Sequence, residues 1–193
     1  MMPLNLLQGA NVQLTALTPN DLPRIANWYQ HTDFLRLLDA RPAYPQTEAV
    51  LAQWLEERHK ATDAFMFGVR LLENDELLGW VELDGILWTH QVSGIGIGIG
   101  NQTYWGKGYG SEAMQLALQF AFNELNLHRL QLTVFSYNDR AIALYEKLGF
   151  QREGVYREFL QRDGERHDMY LYGLLHREWQ EHQFKKSKVK SQK

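Results

Sequence analysis

The stretch "SGIGIGIGNQTYWGKGYGSEA", residues 93–113, holds seven glycines and decides how the rest of the chain reads. Over residues 94–100 glycine alternates with isoleucine. Successive side chains of a strand take opposite faces. Ile95, Ile97 and Ile99 therefore share one face, and Gly94, Gly96, Gly98 and Gly100 leave the other as bare backbone. Glycine weakens a strand interior, so something must compensate. A ligand laid along the strand and bonded to its amides would do so. So would a large ring packed over the glycines from a neighbouring element, and the chain has six tryptophans to supply one.

The continuation "WGKGYGSEA", residues 105–113, joins this strand to a helix predicted to begin near Gly110 or Ser111. The first amides of a helix have no partner within it and carry partial positive charge. Glycines allow a phosphate to approach them closely, and Lys107 adds a cation. The pattern predicts a diphosphate cradle, with a glycine-rich turn entering a helix as the plainer alternative. A Walker A loop needs Gly-Lys-Ser/Thr, whereas Gly108 follows Lys107. A dinucleotide fingerprint fits at Gly106 and Gly108, but Ser111 holds the third glycine position and "LQLTVFS" lacks the terminal acid.

Working outward, "VQLTALT" alternates as a half-buried strand, and Thr18-Pro19 starts a helix running to about Tyr29. A second helix follows Pro45 with Thr47 as its cap. "AFMFGVRLL" and "ELLGWVELDGIL" read as a hairpin, with the glycine strand third in line. "SEAMQLALQFAFNEL" is an amphipathic helix and "HRLQLTVFS" a strand. "NDRAIALYEKLGF" is a short helix with Asn138 as cap and Gly149 at its left-handed end. The final two strands flank Asp163-Gly164, a hairpin signal. The order β-α-α-β-β-β-α-β-α-β-β predicts an α+β fold. Its central sheet is mixed and mostly antiparallel, flanked by helices, with one parallel pair across the helix after the glycine loop.

The chain of 193 residues reads as a single domain over 1–184 followed by a basic, disordered tail at 185–193. Hydrophobic residues make up 45% and charged residues 22%, with a net charge of −3, so no global basic field recruits nucleic acid. Weak nucleic-acid contact is expected only through the tail. No cysteine is present, which excludes disulfides, thiolate metal sites and a cysteine nucleophile. The start, "MMPLNLLQGA", has no basic n-region or long apolar run, so a cytoplasmic protein without a membrane span is expected.

The run from Gly94 to Phe150 resembles the acetyl-CoA-binding half of the Gcn5-related N-acetyltransferases (GNAT). "W-G-K-G-Y-G" is similar to their Q/R-x-x-G-x-G/A loop, with Trp105 in place of the usual Gln or Arg. "N-D-R-A-I-A-L-Y-E-K-L-G-F", residues 138–150, is similar to their second hallmark. The C-terminal pattern resembles the subgroup that acetylates N-terminal amines of ribosomal proteins, and spermidine acetyltransferases share much of it. The resemblance implies acetyl-CoA as co-substrate, no metal, and a parallel strand pair that splays around the pantetheine arm. It implies cofactor contacts at Ile97, Gly98, Ile99, Trp105, Gly106, Lys107, Gly108, Tyr109, Gly110, Ser111 and Asn138. A homodimer is compatible with it.

Acetyl transfer to an amine requires a neutral amine, donors for the oxyanion, and a proton for the departing thiolate. Tyr145 is the candidate acid: a phenol stays protonated at neutral pH, and the resemblance places this tyrosine near the sulfur. A purely packed aromatic is its alternative. The amide of Ile97 is the candidate to polarise the carbonyl. Many relatives carry an acidic residue where this chain has Gly94. The base is therefore sought in Glu82, Asp84 or His90, with Glu82 preferred and a solvated glutamate as its alternative. The acceptor is expected to be a protein or peptide N-terminal amine. A polyamine or amine-bearing antibiotic, or a non-catalytic acetyl-CoA-binding module, are the other readings. Trp28, Phe34, Tyr44, Trp88 and Tyr156 are candidates for the acceptor lining, each with a core role as the alternative.

Overall fold

The computed structural model describes residues 5–191. Its strands are β1 (Val12–Thr15), β2 (Phe65–Leu71), β3 (Leu77–Leu87), β4 (Val92–Ile99), β5 (Arg129–Phe135), β6 (Gln151–Arg162) and β7 (Glu165–Leu175). Its helices are α1 (Leu22–Trp28), α2 (Thr32–Leu38), α3 (Glu48–Lys60), α4 (Tyr109–Gln119), α5 (Asp139–Leu148) and α6 (His176–Ser191). A π-helical turn, Phe120–Glu124, extends α4. The strands form one sheet in the order β1-β2-β3-β4-β5-β7-β6, in which only β4 and β5 run parallel.

That parallel pair is joined only at its base. Val92, Ser93 and Gly94 pair with Arg129, Leu130 and Gln131, and there the ladder stops. Beyond it β4 stays on β3 as far as Ile99, and β5 stays on β7 as far as Phe135. Each strand keeps its outer partner, so the divergence frees only the two inner edges. Main-chain groups on such edges need partners from elsewhere.

Two apolar clusters cover the two faces of the sheet. On one face Ile95, Val81 and Leu83 meet Ala113, Met114, Ala117 and Phe122 of the α4 segment, with Leu148 of α5 and Trp179 of α6. On the other face α1, α2 and α3 close over Trp80. The Trp80 ring has Trp28, Tyr29, Phe34 and Trp54 at centroid distances of 5.8–6.4 Å. Aromatic pairs of this kind add about 0.5–1.5 kcal/mol each beyond area burial. Glu112, in the first turn of α4, accepts from the Asn11 amide at 2.8 Å and side chain at 3.0 Å, which ties the start of α4 to β1.

Two expectations change. The segment between the helix expected to end near Tyr29 and the one expected after Pro45, with no helix expected in it, contains α2, whose Phe34 and Leu35 are buried against the Trp80 cluster. The basic stretch read as a disordered tail continues α6 to Ser191, while Gln192 and Lys193 lie outside the described residues. Trp179 anchors α6 in the core.

Candidate active site

The splay opens a cleft of about 630 Å³ between β4 and β5. One end is built by the glycine loop and α5. The other is lined by Phe34, Leu37 and Leu38 of α2 and by Phe159 and Met169 of the β6–β7 hairpin.

At the loop end, Gly106 and Gly108 adopt φ values of 75° and 90°, and a Cβ built on either meets no atom within 4 Å. Gly108 is the left-handed N-cap of α4. None of the amides of residues 106–111 donates a hydrogen bond within the described residues. Left-handed glycines, open space and unpaired amides at a helix N-terminus fit a diphosphate. Gly106, Gly108, Gly110 and Ser111 line the cleft, with Asn138 across from them. Asn138 also caps α5, accepting from the Ala141 amide at 3.2 Å. The side chains of Lys107 and Tyr109 do not line the cleft: Lys107 stands over the Tyr104 ring and Tyr109 packs against it.

Trp105 is not a passive replacement for a polar residue. Its Nε1 donates to the Ile99 carbonyl at 2.7 Å, and the Arg140 guanidinium lies over its ring at 3.5 Å. Arg140, which the sequence reading passed over, returns a cation to this mouth from the first turn of α5. Its neighbour by two, Asn138, was the available signal.

Along β4 the strand's edge and its glycine face have different roles. The Gly100 amide donates to the Leu78 carbonyl at 2.9 Å, so glycine main-chain groups point to β3. Alternation turns the main-chain groups of Ile97 and the Ile99 amide to the edge facing β5, where Trp105 Nε1 already occupies the Ile99 carbonyl. Such an edge can take the hydrogen bonds of an extended ligand. The glycine face, in contrast, is mostly not open. A Cβ on Gly100 would stand 1.9 Å from the Trp28 ring, and one on Gly98 would stand 3.2–3.4 Å from Leu38 and Trp80. Packed rings therefore account for these two, and Asp84 covers Gly94. Only Gly96 has room, with the Glu82 side chain nearest at 3.9 Å.

Glu82 pairs with Gly96 in the ladder and shares the face of Trp80. Its Oε2 is buried without a hydrogen-bond partner among the described residues, and Arg58 Nε on α3 stands 3.7 Å away. Burial pushes its carboxyl pKa up, Arg58 opposes this, and Asp84 adds to it. Tyr145 is buried, packs edge-on to Phe150 at 5.9 Å, and lines the cleft. Burial raises its phenol to about 12. Asp84 and His90, the other base candidates, do not line the cleft. Of the five aromatic candidates for the acceptor wall, Phe34 lines the cleft, Trp28 is core, and Tyr44, Trp88 and Tyr156 are exposed outside it.

A splayed parallel pair with a free strand edge, open helix-start amides at one end and a shielded carboxylate within make a cleft that can take an extended, phosphate-bearing ligand. The Acetyltransferase (GNAT) domain profile matches residues 11–151, and the chain belongs to the GNAT acetyltransferases. These enzymes transfer an acetyl group from acetyl-CoA to an amine. The spermidine N-acetyltransferase of Vibrio cholerae, solved with CoA and spermine, superposes with a TM-score of 0.79. It is 27% identical, over 88% of this chain and 98% of that one. The [Ribosomal protein uS5]-alanine N-acetyltransferase of Escherichia coli is 27% identical over 82% of this chain and 84% of its own. An N-acetyltransferase named p20 from Bacillus licheniformis is 29% identical over 81% of this chain and 83% of its own. Among the described residues no helix is long and apolar enough to cross a membrane.

Proposed function

We propose that the acceptor is the α-amine of a protein or peptide N-terminus. One observation carries this: the far end of the cleft is apolar, and among the described residues its lining offers one carboxylate oxygen without a hydrogen-bond partner, Glu82 Oε2, with Arg58 Nε 3.7 Å away. Asp39, the other acid on the lining, is bound by Arg41 Nε at 2.6 Å. A polyamine brings several cations and calls for several carboxylates, whereas an N-terminus brings one. Holding a lysine-like amine neutral at pH 7 costs about 4–5 kcal/mol, against about 1–1.5 kcal/mol for an α-amine. One weakly assisted base suffices for the second. The similarity to the uS5-alanine enzyme supports the same reading, and the superposition on the spermidine enzyme supports the polyamine alternative.

Gly106, Gly108, Gly110 and Ser111 would hold the diphosphate of acetyl-CoA through their amides, with Arg140 nearby. Ile97 and Ile99 would hold its arm along the strand edge. When bound, acetyl-CoA supplies an acyl group activated as a thioester. Glu82 Oε2, without a hydrogen-bond partner among the described residues and with its pKa raised by burial, takes the proton of the incoming amine. The Ile97 amide would polarise a carbonyl oxygen on the open edge. Tyr145 Oη keeps its proton at neutral pH and has it ready for the departing sulfur.

The test is acetyl transfer to a peptide with a free α-amine, to the same peptide with only its lysine free, and to spermidine. The α-amine is expected to show the highest kcat/KM. Glu82→Gln should lower turnover on it by roughly 10²–10⁴-fold, and Tyr145→Phe should lower turnover with coenzyme A affinity kept. A higher kcat/KM for spermidine would reject the reading.

A further inference from the structure

We propose that a bulge in β6 makes Phe159 a specificity residue, one that reads an apolar side chain next to the acceptor amine. The proposal rests on the N-terminal-amine reading above. β6 pairs Tyr156 with Met169 and then Leu160 with His167, so four steps on β6 face two on β7. The excess residues 157–159 bow out of the ladder. Bulges at the margin of a site re-aim side chains.

This bulge is held in place deliberately. Glu158 sits at φ 52°, in the left-handed region that a residue with a Cβ avoids. Its amide donates to Asp168 Oδ1 at 2.8 Å, and its carbonyl accepts from Arg166 Nη1 at 3.4 Å. The product of this strain is a phenylalanine left 50% exposed, yet on the lining of the cleft. Its ring meets that of Tyr156 at 5.9 Å, and Tyr156 is itself exposed. A backbone strained to hold an apolar ring half in water points to a ligand group that completes its contacts.

The opposite wall is fixed to the same hairpin. Arg36 on α2 forms an ion pair with Asp163 at the hairpin tip. Arg162 Nη2 donates to the carbonyls of Asp39 and Arg41, each at 3.1 Å. Tyr137 Oη donates to the Arg36 carbonyl at 2.6 Å. Leu37 and Leu38 thus face the cleft from a wall tied to the hairpin that carries Phe159. All three line the cleft that also holds Glu82. The chemistry that fills it is an ammonium group followed by an uncharged, apolar side chain.

The experiment measures kcat/KM for two peptides that differ only in the first residue, methionine or glycine, with a free α-amine. It compares the unaltered protein, Phe159→Ala, Phe159→Leu and Asp168→Ala, with coenzyme A affinity by calorimetry as the check on folding. The unaltered protein is expected to prefer methionine. Phe159→Ala should lower the methionine-to-glycine ratio by roughly 10- to 100-fold. Phe159→Leu should restore most of the ratio, and Asp168→Ala, which frees the bulge, should lower it in the same direction. An unchanged ratio in Phe159→Ala would overturn the proposal and leave the N-terminal-amine reading standing. Failure of the unaltered protein to acetylate either peptide while it acetylates spermidine would overturn both.

Discussion

The glycines of β4 and those of the loop that follows are the same residue used for opposite reasons. At Gly100 a side chain would collide with Trp28, and at Gly98 it would crowd Leu38 and Trp80, so glycine lets a tryptophan cluster come down onto the strand. At Gly106 and Gly108 a side chain would meet nothing in the protein, and the backbone is left-handed. The first pair is filled by the protein itself. The second pair is kept open for something that is not protein. A run of glycines is therefore read by what stands over each one, not by its count.

The largest effect on this contrast is expected from Gly108→Val. A branched side chain in the left-handed cap costs about 1–2 kcal/mol of stability and intrudes where the diphosphate is held. Coenzyme A affinity, by calorimetry on the folded protein, should fall by roughly 100-fold, near 2.7 kcal/mol. Retained affinity would mean that the loop is only a turn. Gly100→Ala should do the reverse. Its methyl group has no room beside Trp28, so unfolding free energy should drop by about 1–3 kcal/mol while the folded fraction binds coenzyme A as before. Gly96→Ala, where the nearest atom is at 3.9 Å, is the control and should change stability by less than about 0.5 kcal/mol.

Glu82→Gln tests the carboxylate beside Gly96 through the pH dependence of stability. Burial raises the Glu82 pKa in the folded chain above its unfolded value. The folded state thus binds more protons between those two values, and its stability declines as pH rises through that window. The Gln variant lacks this decline. It should be the more stable protein at pH 7, and the difference should vanish below the ordinary glutamate range. A variant less stable at pH 7 would show that the Arg58 contact outweighs the cost of burial.

Much of this was legible in local pattern. The Asn138 cap, the left-handed Gly149, the Asp163-Gly164 turn and the parallel pair around α4 all follow from signals within a few residues. α2 was not legible, because it has seven residues and no side-chain cap, and its stability comes from burying Phe34 and Leu35 under distant rings. Within the site, the loop glycines and Tyr145 stood out in the sequence. Arg140, Arg58 and Phe159 did not. Each gains its place through contact with a residue dozens of positions away: Trp105, Glu82 and the walls of the cleft. The covering of Gly98 and Gly100 was among the alternatives the alternation allowed, and only the positions of Trp28 and Trp80 decide between them.

Amide hydrogen exchange with and without coenzyme A tests the central claim most directly. Added coenzyme A should slow exchange at residues 106–111 and at Ile97, whose amides have no hydrogen-bond partner among the described residues. The Gly98 and Gly100 amides, already turned to β3, should stay as they were. Binding of coenzyme A with no added protection at 106–111, or with protection confined to another surface, would contradict it.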